Sequence, residues 1–88
     1  MNTKFLELIH SFKYTRVLSS TEASTSVVYV SPTQINPDAT WFNVSLIYNS
    51  TKHEYINVLY DPVNGGFVLE SSIATGDSLN FYGLYFTL

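Results

Sequence analysis

The feature that most constrains this chain is period-two alternation of large apolar and aromatic side chains, strongest in Trp41 to Tyr48 and in Leu79 to Leu88. Alternation of that kind places successive side chains on opposite faces of an extended strand, so both stretches predict β-strands. In the first, Phe42, Val44, Leu46 and Tyr48 share one face and Trp41, Asn43, Ser45 and Ile47 the other. In the second, Tyr82, Leu84, Phe86 and Leu88 lie opposite Phe81 and Tyr85.

Turn chemistry divides the remainder. Asp61-Pro62-Val63-Asn64-Gly65-Gly66 is the strongest signal, with Pro suited to the second turn position and Asn-Gly to positive φ. It predicts a hairpin between a strand over Glu54 to Tyr60 and a returning strand over Phe67 to Glu70. Val27-Val28-Tyr29-Val30 is a short apolar run that predicts a strand covered on both faces, followed by a loop bracketed by Pro32 and Pro37. Lys13 to Leu18 reads as a strand, Ser19 to Ser24 as a polar connection, and Ser71 to Ser78 as another. Matching the apolar face of Ile56, Val58 and Tyr60 to that of Phe42, Val44 and Leu46 requires Tyr48 opposite Glu54 and a five-residue loop from Asn49 to His53.

The N-terminal segment departs from this pattern. Phe5, Leu8, Ile9 and Phe12 are spaced three, one and three apart, which predicts an amphipathic helix over about residues 3 to 12, capped by Asn2 or Thr3. The expected fold is therefore α+β: an N-terminal helix packed on an antiparallel sheet of five or six strands, in a single domain spanning residues 1 to 88.

Composition limits the function. The chain has four Lys and Arg, seven Asp and Glu, two His and no Cys among 88 residues. Leu, Ile, Val and Phe make up 28 of them, well above the level of roughly 20% below which disorder is the norm. No disulfide is available, and no His/Cys/carboxylate spacing forms a metal motif, so oligomerisation is the expected staple for so small a core. Phosphate recognition needs clustered cations, and residues 23 to 88 contain only Lys52, so no nucleic-acid partner is expected. Lys13-Tyr14-Thr15-Arg16 splits its charges between two strand faces and reads as a solvated edge. No apolar run approaches the roughly 20 residues needed to span a bilayer, and Glu7 and His10 interrupt the N-terminal apolar residues, so a cytoplasmic protein without membrane contact is expected. The acceptor patterns Asn43-Val44-Ser45 and Asn49-Ser50-Thr51 are of the number expected by chance in a chain rich in Ser, Thr and Asn.

One short motif carries chemistry. Gly76-Asp77-Ser78-Leu79 resembles the signature for which one family of esterases and lipases is named, and that resemblance implies Ser78 as an acyl nucleophile. The chain departs from the family's context: ten residues follow Ser78, none of them His or Asp, so no downstream base is present. His53 and Glu54 are neighbours that point to opposite faces of a strand and form no dyad; a site joining His53 to Asp61 or Glu70 requires the fold to bring them together. No catalytic residue and no cofactor is expected.

Seven Tyr, six Phe and one Trp exceed what a small core would be expected to use, and aromatic rings with a polar handle are common interface anchors. The expected role is a non-enzymatic protein-binding module of the kind that phages and mobile elements carry as small inhibitors or accessory factors. Its expected contact residues are Trp41, Asn43, Ile47, Tyr55, Tyr82, Leu84 and Phe86, its expected partner another protein. The C-terminal strand is expected at a sheet edge, where its lack of charge and Pro favours a homodimer. Two alternatives are a small-ligand protein or minor enzyme with a Tyr-lined pocket between helix and sheet that includes His10 or His53, and a structural subunit of a larger assembly.

Overall fold

A computed structural model describes residues 7 to 87, which form seven strands and two short helices in the order β1 (Ile9–Val17), α1 (Ser20–Thr25), β2 (Val27–Tyr29), α2 (Pro32–Ile35), β3 (Trp41–Asn49), β4 (Glu54–Ile56), β5 (Leu59–Asp61), β6 (Gly66–Val68) and β7 (Ser78–Phe86). The strands build two antiparallel sheets, one of four in the order β1-β7-β3-β4 and one of three in the order β2-β6-β5. Leu79, Phe81, Ile47 and Ile56 of the larger sheet meet Val28 and Phe67 of the smaller, with Leu18, Val30 and Leu69 completing the buried cluster. Phe67 and Phe81 make the central contact, edge to face, with ring centroids 5.6 Å apart.

This is not the expected helix on one sheet. Residues 9 to 12, read as the end of a helix, begin the nine-residue strand β1, while residues 3 to 6 lie outside the described residues. Ile9 and Phe12 fit a helical spacing, but His10, Phe12, Tyr14 and Arg16 also alternate. Pairing with β7 along its whole length, from Ile9 opposite Phe86 to Val17 opposite Ser78, supplies backbone bonds that a short peripheral helix would not gain.

Both helices fall where connections were expected. Ser19 caps α1, its hydroxyl accepting from the Glu22 N–H at 3.2 Å while the Glu22 carboxylate accepts from the Ser19 N–H at 3.0 Å. Glu22 also binds Arg16 of β1 at 2.6 Å, tying the helix to the sheet. In α2, Pro32 occupies the first turn and Gln34 Oε1 accepts from the Ser31 N–H at 2.8 Å. Ile35 of α2 packs against the core beside β1.

Three strand expectations need correction. The run from Val27 to Val30 is not covered on both faces: Val28 and Val30 are buried and Tyr29 is exposed. The predicted strand from Glu54 to Tyr60 breaks at Asn57 and Val58 and divides between the sheets as β4 and β5. Its pairing with β3 sets Tyr48 opposite Tyr55 and Asn49 opposite Glu54, one residue away from the expected register. Four residues, Ser50 to His53, make the turn, and His53 at φ 56 supplies its left-handed position.

The third correction lies within β3, where the pairing with β7 shifts between Val44 and Leu46. Ser45 is the extra residue of this β-bulge, and its hydroxyl donates to the Tyr82 carbonyl at 3.2 Å. Alternation restarts one residue out of phase beyond it. Phe42, Val44, Ile47 and Asn49 consequently face the smaller sheet, whereas Trp41, Asn43, Leu46 and Tyr48 face away. The Asp61 to Gly66 hairpin forms as its sequence predicts, joining β5 to β6 with Gly65 at φ 75.

Candidate functional site

The outward face of the four-stranded sheet is built in registered rows. Ile9, Phe86 and Trp41 form the first, Ser11, Leu84 and Asn43 the second, and Lys13, Tyr82 and Leu46 the third. Thr15, Asn80, Tyr48 and Tyr55 form the fourth across all four strands. Trp41 packs against Phe86 at 4.9 Å between centroids and Tyr48 against Tyr55 at 4.8 Å, so each end of the face carries an aromatic pair. Much of this surface remains open: Trp41 is 54% exposed, Tyr55 71%, and Leu46 and Leu84 are each 38% exposed.

Polar side chains on this face largely serve the sheet. Asn43 Oδ1 accepts from the Leu84 N–H at 3.1 Å, a bond that spans the start of the bulge. The Thr15 hydroxyl donates to Asn80 Oδ1 at 2.8 Å, and the Tyr48 hydroxyl lies 3.3 Å from His53 Nδ1. Lys13 is the one charged side chain among the rows described. The face therefore presents rings and aliphatic groups with few uncommitted polar atoms.

Six of the seven residues singled out in the sequence, Trp41, Asn43, Tyr55, Tyr82, Leu84 and Phe86, come together on this face. Ile47 does not; the bulge turns it into the core, where it is fully buried. The same phase change brings Leu46 and Tyr48 outward, and simple alternation missed them. A signal for it was present in Gly83, opposite Val44: a glycine inside a strand pattern often marks a bulge or close backbone approach.

The groups with reactive chemistry are dispersed into structural roles. Ser78 opens β7, its N–H donating to the Thr51 hydroxyl at 2.9 Å and its carbonyl accepting from the Ser50 N–H at 2.9 Å. His10 stacks on Tyr85 at 4.9 Å, and His53 sits in the β3–β4 turn. The Asp61 carboxylate accepts from the Asn64 side-chain amide and from the N–H groups of Asn64 and Val63, which hold it below the usual carboxylate range.

Asp77 is buried. The Asn49 side-chain amide donates to Asp77 Oδ2 at 3.0 Å and, as the largest influence, lowers its pKa against the opposing effect of desolvation; the Ala74 N–H and Lys52 add to the lowering. Asn49 Oδ1 in turn accepts from the N–H groups of Thr51 and Lys52. With its side chain enclosed and bonded at both ends, Asn49 is inaccessible to a glycosyl donor. No group of three His, Cys, Asp or Glu among the described residues is placed to hold a metal ion, and no described helix is long and apolar enough to cross a membrane.

A second feature lies between the sheets. A cleft of about 400 Å³ opens where β3 begins, lined by Phe42, Val44, Val58, Tyr60, Phe67 and Val30, with Trp41 and Asn43 at its lip. This replaces the pocket expected between an N-terminal helix and a sheet, and neither histidine lines it. Comparison with protein-family models, curated proteins and solved structures finds no match to this chain.

Proposed function

We propose that this chain is a non-enzymatic protein-binding module that docks another protein on the outward face of its four-stranded sheet. The observation that carries this reading is the continuity of Trp41, Leu84, Leu46 and Tyr55, all exposed, with Phe86 and Tyr82 between them. Covering such a face removes apolar area from water at roughly 25 cal/mol per Å², and Trp and Tyr supply large contacts with little rotamer entropy to lose. A nucleic acid would need more cations than Lys13 offers. A sugar would use the rings but gain little from Leu46, Leu84 and Ile9, whereas mixed aromatic and aliphatic rows match the centre of a protein interface.

The test is affinity capture from extract of the source cells, with the wild type, Leu84→Asp and Trp41→Ala as baits and Val63→Asp as control. Val63 is 89% exposed in the β5–β6 turn, away from the face. Specific proteins held by the wild type and Val63→Asp should be lost with the other two, provided circular dichroism shows all four folded. An identical set retained by every bait would refute the reading.

A further inference from the structure

The larger sheet has an incomplete edge beside the inter-sheet cleft. β7 lies along the whole of β3, but β4 covers only Ile47 to Asn49, because the chain leaves this sheet after Ile56 to build β5 in the other. Among the described residues, β3 thus has a strand neighbour on one side only from Trp41 to Leu46, and the bulge at Ser45 leaves Trp41 to Val44 as its regular part. Open strand edges are ordinarily guarded by charge or Pro, and Trp41-Phe42-Asn43-Val44 contains neither.

We infer that this edge accepts an extended apolar segment of a partner protein, which joins the sheet as an additional strand beside Trp41 to Val44. The cleft takes its alternate side chains. Residues two apart on a strand point the same way about 7 Å from one another, so inward groups of the added strand reach Phe42, Val44, Val58, Tyr60 and Phe67. A metabolite would find few polar anchors here, since Trp41, Asn43 and Tyr60 are the lining residues with polar side-chain atoms and none of them is charged. The unpaired backbone edge is matched by another backbone.

Charge further defines the segment. The exposed Asp38 stands three residues before Trp41, on the segment that leads into this edge, and the chain carries a net charge of −3. The cations among the described residues do not offset this charge: Arg16 is paired with Glu22, Lys52 is held by the Ser72 carbonyl and Asp77, and Lys13 faces outward on β1. An apolar segment flanked by Lys or Arg is the complement. This edge meets the outward face at Trp41 and Asn43, but Leu84 belongs to the face alone and Tyr60 to the cleft alone, so the failure of either is told from that of the other.

The probe is a displayed library of random twelve-residue peptides, selected on the purified chain. The best peptide is then synthesised with N-methyl groups on one or the other alternate set of backbone nitrogens. Enriched peptides should alternate apolar residues beside a basic flank and slow amide exchange at Trp41 to Val44. One N-methyl set should abolish binding and the other leave it nearly unchanged. Tyr60→Ala should weaken binding at least tenfold, and Leu84→Asp should not. Because Tyr60 also packs on Phe67, the N-methyl pair and exchange map decide the matter even if that variant is unstable. Failure to enrich any peptide, binding that survives both N-methyl sets, or binding lost with Leu84→Asp alone would overturn the inference. Protection of Trp41 to Val44 by self-association, without peptide, would overturn it too and assign the edge to a second copy.

Discussion

Gly83 permits the bulge that sorts β3 into its two faces. A Cβ at this position would collide with the Asn43 carbonyl, which is backbone and has no rotamer by which to withdraw. We expect Gly83→Ala to destabilise the fold by about 1 to 3 kcal/mol, the usual cost of overpacking, read as a lower urea midpoint. Asp77 provides a second prediction at this scale. Its pKa is lowered on folding, so the ionised carboxylate stabilises the native state above about pH 4, the unfolded range, and that contribution disappears as pH falls through the folded value. The urea midpoint of the wild type should therefore drop more between pH 7 and pH 3 than that of Asp77→Asn. Gly83 left a mark in the sequence, a glycine interrupting the face of Phe81 and Tyr85, but not the partner it approaches. Asp77 left none, since it belonged to an esterase-like tetrapeptide whose carboxylate serves Asn49, 28 residues away in the chain.

Strand position separates two phenylalanines that look equivalent in sequence. Phe81 lies in the central strand β7 and is fully buried, whereas Phe12 lies in the edge strand β1 and is half-buried against Phe42 and Tyr85. Phe81→Ala should cost about 3 to 5 kcal/mol and Phe12→Ala distinctly less, measured by equilibrium unfolding. Equal losses would contradict this account of the larger sheet. The faces of β7 were readable because nine residues alternate without a break, and the β5–β6 hairpin because Pro, Asn and Gly each demand a particular backbone. β1 was not, since its first apolar residues satisfy two periods at once and its partner lies at the far end of the chain. The capping residues of α1 were visible as Ser19 and Glu22, but Ser and Thr around them favour turns equally well.

For the whole molecule, the outward face measures about nine residues by three to four strands, roughly 500 Å² of sheet plane at ordinary strand spacings. Two copies pairing by it would bury about 1,000 Å², the lower bound for a specific interface. Sedimentation velocity over a concentration series should accordingly show weak self-association, removed by Leu84→Lys. A monomer at every concentration would reserve the face for a different protein. β7 does not offer the edge expected for a dimer: it is flanked on both sides, and among the described residues the edges of this sheet belong to β1, β4 and the first part of β3. Adjacent strands in sequence usually pair, which is why a sheet joining the two ends of the chain, and a break at Asn57 dividing one apolar stretch between two sheets, escaped a sequence reading.

The central place of β7 also sets an order of events at the ribosome. β1 emerges before the other described strands, yet β7, the one described strand that pairs with it, follows about sixty residues later, a wait of roughly 3 to 12 s at ordinary rates of synthesis. For the latter half of that interval the nascent chain carries the apolar side chains of both β1 and β3 without the strand that lies between them in the sheet. A holdase that shields such stripes would engage this protein during translation and release it when β7 arrives.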